Sequence, residues 1–321
     1  MRRLLLIAVP ALALAGALLA TPGAQAASTP SGTAIYNSTV SPQPGNLPSV
    51  GGEAYAFSEL GDKVTFAGTA RQLQDVTVTM SSWGCEAGSW FAHTCSTTPG
   101  STFSLPITLN VYAAGAGDAV GPVLATRTQT FAIPFRPSAD NTNCTGANAG
   151  KWFDGATCFN GKAVNITFDF SSLGVVLPNT VIYGIAYNTT HFGYTPVGEG
   201  APCFSTPAGC GYDSLNIALS GGTTSGSDVD PNGVYQNSPY GSEYCDGGIA
   251  GTGTFRSDSG CWAPSVPAVR FGAISINPPA TKDACKNGGW QSLTDNAGTP
   301  FKNQGDCVSY DATGGKNKAK G

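Results

Sequence analysis

The sequence predicts an all-β protein: an antiparallel two-sheet sandwich, jelly-roll-like, with long disulfide-pinned loops and a small cysteine-paired tail. Three observations carry that prediction. Short apolar runs alternate with a period of two, as a strand with one buried face requires. No stretch after the first 26 residues keeps apolar side chains at helical spacing without a Gly, Pro or Asn interrupting it. Ten cysteines, an even number, are spread through a chain with few charges and 43 glycines.

Taken in order, residues 1–26 read as a secretory signal peptide. Arg2 and Arg3 precede an apolar run from Leu4 to Ala20, and the Ala24-Gln25-Ala26 triplet places a cleavage site after Ala26. The segment from 27 to 50, rich in Ser, Thr, Pro and Gly, is expected to be a flexible lead-in. The sandwich is expected over 51–278. Its strands are predicted from Val76, Val78 and Met80, from Ile107, Leu109 and Val111, and from runs at Val123–Phe135, Ala163–Phe170, Val181–Tyr187, Leu215–Leu219 and Val269–Ile276. Two smaller sandwiches in tandem would also suit this length. A break at Pro278-Pro279-Ala280 introduces a tail, 279–321, whose few apolar residues (Trp290, Leu293, Phe301, Val308, Tyr310) need a covalent staple to form a core. Its last stretch, Gly314–Gly321, is expected to be disordered.

The cysteines pair most economically in chain order, which closes short local loops: Cys85 with Cys95, Cys144 with Cys158, Cys203 with Cys210, Cys245 with Cys261, and Cys285 with Cys307. Cysteine spacing alone does not fix connectivity, so this pairing is a hypothesis. Zinc ligation is disfavoured, because no Cys-x-x-Cys occurs and the histidines number two, His93 and His191. Oxidised cysteines and the leader together predict a secreted, extracellular protein with no membrane span after signal cleavage. The formal charge is −4 and becomes −6 once Arg2 and Arg3 are removed. Six of nine lysines follow Pro279, so no basic patch elsewhere suits a nucleic-acid partner.

Several stretches carry a resemblance. Gly61-Asp62-Lys63-Val64-Thr65-Phe66-Ala67-Gly68-Thr69, the Val76–Cys85 run, Lys151-Trp152-Phe153-Asp154 and Cys210-Gly211-Tyr212-Asp213-Ser214-Leu215-Asn216 resemble a group of secreted bacterial proteins without an assigned function. The tail, Cys285-Lys286-Asn287-Gly288-Gly289-Trp290 followed by Phe301-Lys302-Asn303-Gln304-Gly305-Asp306-Cys307-Val308-Ser309, resembles a short C-terminal element of secreted actinobacterial proteins. The resemblance implies location and bacterial origin, and it carries over no catalytic residue. It also implies that the four sequons at Asn37, Asn143, Asn165 and Asn188 stay unmodified.

Every tryptophan lies close to a cysteine in sequence. Sugar faces stack on aromatic rings, so Trp83, Trp90, Trp152, Tyr240, Tyr244 and Trp262 form the candidate binding set for a glycan or another cell-envelope component. The opposing reading is that the indoles pack over disulfides beneath long loops. No Gly-x-Ser-x-Gly elbow is present. Glutamates are scarce (Glu53, Glu59, Glu86, Glu199, Glu243), so a polysaccharide hydrolase is the alternative and no catalytic residue is named. Asp228-Val229-Asp230-Pro231-Asn232-Gly233 resembles the opening of a calcium loop, with oxygen ligands at alternate positions before a glycine. Asp228, Asp230 and Asn232 are the candidate ligands of a weak Ca²⁺ site, weak because the twelfth position is Pro239 rather than Glu. No other cofactor is expected.

Overall fold

The computed structural model describes residues 30–52, 57, 59–88, 92–189, 215–237, 254–260, 262, 265–296 and 298–321. The segment expected to be a signal peptide, Cys203, Cys210, Cys245 and Cys261 lie outside the described residues.

The chain builds two open antiparallel sheets facing one another. Their strands are, in chain order, β1 (Thr33–Asn37), β2 (Ser49–Val50), β3 (Glu59–Thr65), β4 (Gln72–Ser82), β5 (Thr102–Ala114), β6 (Val120–Pro134), β7 (Trp152–Phe153), β8 (Cys158–Phe159), β9 (Lys162–Asp169), β10 (Thr180–Tyr187), β11 (Leu215–Ser220), β12 (Ser227–Asp228), β13 (Gly233–Gln236), β14 (Arg256–Ser259), β15 (Val266–Pro267) and β16 (Val269–Ile274). The first sheet runs β14-β13-β3-β10-β5-β6, with β12 also on β3. The second runs β1-β16-β4-β11-β15, with β9 on the other side of β4 and β2 on β11. β7 and β8 form a separate two-stranded ribbon. The chain changes sheet repeatedly, from β3 to β4 to β5 and from β9 to β10 to β11, which is the jelly-roll habit expected from the sequence.

All seven predicted runs fall on strands. In β5, Leu105, Ile107, Leu109 and Val111 are buried while their neighbours face outward, the alternation that a half-buried strand dictates. Inner-face rings close the gap between the sheets: Phe131 of β6 meets Phe168 of β9 edge-on with centroids 4.9 Å apart, and Tyr183 of β10 meets Phe271 of β16 at 5.5 Å. β4 is buried on both faces. Val76, Val78 and Met80 point into the core. On its other face the Thr77 and Thr167 hydroxyls bond at 2.9 Å, Thr79 donates to Asn165, and Ser81 donates to Asn46 in the covering segment before β2.

That covering segment corrects the expected lead-in. Residues 27–50 contain β1, whose Ile35 and Tyr36 are buried in the main core. Asp75 of β4 fastens its start by accepting from the amides of Ser31 (2.9 Å) and Gly32 (2.8 Å) and pairing with Arg270 of β16. Turn-rich composition masked a five-residue strand, because β1 borrows its stability from its partner β16 rather than from its own propensity.

The three disulfides described are Cys85–Cys95, Cys144–Cys158 and Cys285–Cys307, each a pair adjacent in chain order. They fit an oxidising environment. No helix among the described residues is long and apolar enough to cross a membrane.

In the tail, Cys285–Cys307 sits with Leu293, Phe301 and Tyr310 in a small satellite core. Here the sequence reading missed a helix, α1 (Gln304–Ala312), capped by the Asn303 side chain accepting from the Asp306 amide at 2.9 Å. The chain end expected to be disordered is tied back: the Lys320 amide donates to Asp306 and the Ala319 amide to Asp295. Replacing Cys285 and Cys307 together by Ser should cost the tail about 3 kcal/mol, given the 22-residue separation that the bridge closes. Limited proteolysis should then cut within 281–321 before the sandwich; equal resistance of both proteins would show that the tail does not need its staple.

Candidate functional site

At one end of the sandwich two disulfides pin the loops. The Cys144–Cys158 bridge joins the 140–150 loop to the β7–β8 ribbon, and Cys85–Cys95 closes the loop beyond β4. Main-chain bonds lock the two regions together: the Ala139 amide donates to the Cys95 carbonyl (2.9 Å), and the Asp140 amide to Lys151 (2.8 Å). Arg136 lies beneath them with no exposed surface. Its amide donates to the Gly84 carbonyl (2.9 Å) and its Nη2 to the Gly150 carbonyl (2.7 Å). Gly150 takes a positive φ of 81°, and a Cβ there would meet the His93 ring at 2.4 Å, so the close approach requires glycine.

Two clefts open on this end. The larger, about 630 Å³, has an aromatic and proline floor of Phe135, Trp152, Phe153, Pro99 and Pro137, with Thr97, Ser138, Asp140, Asn141 and Thr142 along its rim. The Asp140 side chain accepts from Asn143 Nδ2 (2.8 Å) and from the amides of Asn143 and Thr142; these bonds hold its carboxyl below the usual range and fix the rim. The second cleft, about 340 Å³, is lined by Trp83, Lys151, Phe159, Asn46 and Asn160. Trp152 and Phe159 separate the two, with ring centroids 5.3 Å apart.

The structure divides the predicted aromatic set. Trp83 is half-buried on the second cleft, its Nε1 donating to Ser81 Oγ at 3.0 Å. Trp152 is 5% exposed, donates to the Gly161 carbonyl at 2.7 Å and carries Lys162 Nζ over its ring, so it forms a wall and offers no open face. Trp262, 3% exposed, belongs to the main core. Trp90, Tyr240 and Tyr244 lie outside the described residues. Phe135 and Phe153, which the sequence reading passed over, supply accessible ring surface in the larger cleft; the signal for Phe153 was its place beside Trp152.

A second arrangement involves the predicted cation residues. β12 pairs with β3 at Ser227↔Thr65 and Asp228↔Val64, and β13 resumes at Tyr235↔Gly61. Between them the chain leaves the ladder and turns through Asp230–Gly233, the Gly233 amide donating to the Asp230 carbonyl. That turn places Asp230 and Asp228 beside Asp62 of β3, with one carboxylate oxygen from each lying within 4.8 Å of the others. Asn232, the third ligand expected from spacing, is exposed and its carbonyl accepts from the Gly260 amide, so Asp62 takes the place assigned to it. Pro239 lies outside the described residues. Burial first, then the charge of Asp228, holds the Asp62 carboxyl well above the usual carboxylate range; burial also raises Asp228. Asp230 is pushed up to about 6, by burial and then by the charges of Asp228 and Asp118.

The remaining acid–base candidates among the described residues are occupied structurally. Glu59 accepts from Asn110 (3.0 Å) and Tyr112 (2.8 Å), and Glu86 accepts from the Thr98 amide. His93 packs on Gly150, while Glu53, His191, Glu199 and Glu243 lie outside the described residues. A basic concavity of about 700 Å³ in the tail is lined by Lys302, Lys316, Lys318 and Lys320; these lysines are exposed, and solvated ammonium groups fix no ligand by themselves. The chain matches no protein-family model, no curated protein and no solved structure.

Proposed function

We propose that the protein is a secreted, non-catalytic β-sandwich that binds a glycan of the cell envelope or its surroundings at the disulfide-pinned end. The supporting observation is the 630 Å³ cleft, where Phe135 and Phe153 meet a fixed rim of hydroxyl, amide and carboxylate groups. A sugar presents apolar C–H faces and equatorial hydroxyls, so a ring floor beside a polar rim complements it. Two disulfides and Arg136 hold that rim before any ligand arrives, which lowers the ordering cost of binding. The resemblance to secreted bacterial proteins supports the same location. Mature protein beginning after Ala26 should be recovered from culture medium, and intact Met1 at the N-terminus would oppose secretion by the general route.

Glycan-array screening followed by calorimetry tests the binding. Phe153→Ala should weaken the best ligand roughly 3- to 10-fold, equivalent to ~0.5–1.5 kcal/mol for one stacked ring, and leave the melting temperature nearly unchanged. Trp83→Ala distinguishes the two clefts, since its effect should be smaller if the larger cleft holds the sugar. A second reading, a purely structural exoprotein, is favoured by the burial of Trp152 and Trp262. Absence of binding across cell-wall and plant polysaccharides would select it.

A further inference from the structure

Along β3, Leu60, Asp62 and Val64 share the inward face, and all three have no exposed surface. An aspartate at a core position requires compensation, because an isolated carboxylate out of water costs several kcal/mol. Asp62 Oδ1 accepts from the Lys63 amide at 2.7 Å, while Oδ2 has no hydrogen-bond partner. Its antiparallel neighbour on β10 is Tyr183, directly opposite on the same inward face. The Tyr183 hydroxyl is also fully buried and unpartnered, and burial first, then the charges of Asp62, Tyr36 and Asp228, raise it well above the usual tyrosine range. Asp230 Oδ1 is a third buried oxygen without a partner. The neighbouring lysine bonds to none of them: Lys63 points to the opposite face of the strand, where Nζ donates to the Gly117 carbonyl (3.1 Å) and meets Asp118 at 3.5 Å, and its charge eases only the ionisation of Asp230.

Three carboxylates thus converge on one small volume at the break between β12 and β13, with Tyr183 paired opposite Asp62 on the neighbouring strand. The donor set is all oxygen, with neither His nor Cys in the group. Such a set selects a hard divalent ion over zinc or copper, and three carboxylates with an irregular turn suit the larger, geometrically tolerant ion over Mg²⁺. We propose that Asp62, Asp228 and Asp230 bind a Ca²⁺ ion that fastens the Asp228–Gly233 turn to the core strand β3. The site stands apart from the cleft at the disulfide-pinned end, so it does not depend on the glycan reading.

The test uses the full mature chain, freed of metal by a chelator. Tb³⁺ is the probe, because tyrosine absorption sensitises its luminescence and Tyr183 borders the site. Saturable one-to-one Tb³⁺ emission, displaced by Ca²⁺ and not by equal Mg²⁺, together with a Ca²⁺-dependent rise in melting temperature, is the expected result. Asp62→Asn should weaken Ca²⁺ binding at least ~10-fold by removing a ligand charge. Asp230→Asn, at a half-buried turn position tolerant of the change, should do the same while the far-ultraviolet circular dichroism stays that of the parent. Absence of saturable emission and of any heat on Ca²⁺ titration would overturn the proposal, as would undiminished Ca²⁺ affinity in folded Asp230→Asn.

Discussion

Replacing Arg136 by Ala should destabilise the protein by about 3–4 kcal/mol, and by more than any rim substitution in the neighbouring cleft. Two costs add. The guanidinium's charge-assisted bond to the Gly150 carbonyl is lost, worth roughly 1.5–3 kcal/mol, and the removed stem leaves a void in a site with no exposed surface. Relief of the burial cost of one charge offsets part of this. Arg136→Met separates the contributions, since it refills the stem volume without the charge; it should lose only ~1–2 kcal/mol. Denaturant unfolding measures both. The functional consequence follows from where Arg136 sits: it spans the Gly84 carbonyl just before Cys85 and the Gly150 carbonyl just before Lys151 and Trp152. Loosening it should therefore weaken any ligand of the larger cleft. A loss below 1 kcal/mol for the alanine variant would mean that the disulfides alone hold this end.

The strands were legible where one face is buried and the other is wet. Ile107, Leu109 and Val111 announce β5, and Val181 to Tyr187 announce β10, because the period of the pleat is written directly in side-chain polarity. β1 was not legible, since Thr33–Asn37 sits among turn residues and is held by pairing with β16, the last strand of the sandwich in chain order. The tail helix escaped for a related reason: its nine residues carry only two buried side chains, Cys307 and Tyr310, too few to set a helical period. Local chain closure made the three described disulfides readable in order. Tryptophan beside cysteine was a good guide to packing and a poor one to exposure, as Trp152 and Trp262 show, because a large ring near a staple lowers its free energy by burial. At the acidic cluster, spacing identified Asp228 and Asp230 but supplied Asn232 as the third member. Asp62 comes from a distant strand, and the local clue to it was a charged residue breaking the inward apolar series between Leu60 and Val64.

Metal-free protein should lose stability as the pH rises from about 4 through 6, and added Ca²⁺ should cancel that loss. The sign follows from the carboxyls at the β12–β13 break. Asp230 titrates at 3.8 when unperturbed and at about 6 in the fold, so the folded state binds its proton more tightly than the unfolded chain does. Its contribution is fully present below about 4 and is lost as the pH passes 6. Asp62 and Asp228 are raised as well and act in the same direction. The other groups bearing on the cluster are Lys63, which favours ionised Asp230, Asp118, which opposes it, and the tyrosines Tyr36, Tyr183 and Tyr235, which stay neutral throughout this range because burial raises all three. After discounting for solvent screening of a half-buried group, Asp230 accounts for ~1–2 kcal/mol, or roughly 2–8 °C in melting temperature. Divalent charge reverses the balance, because ionised carboxylates are then the bound form and protons compete with the ion. Melting curves at pH 4, 5, 6 and 7 with chelator and with excess Ca²⁺ should diverge upward in pH. In Asp230→Asn the chelated curve should become shallower, since that position no longer titrates while Asp62 and Asp228 still do; parallel curves for parent and variant would show that Asp230 does not carry the pH dependence.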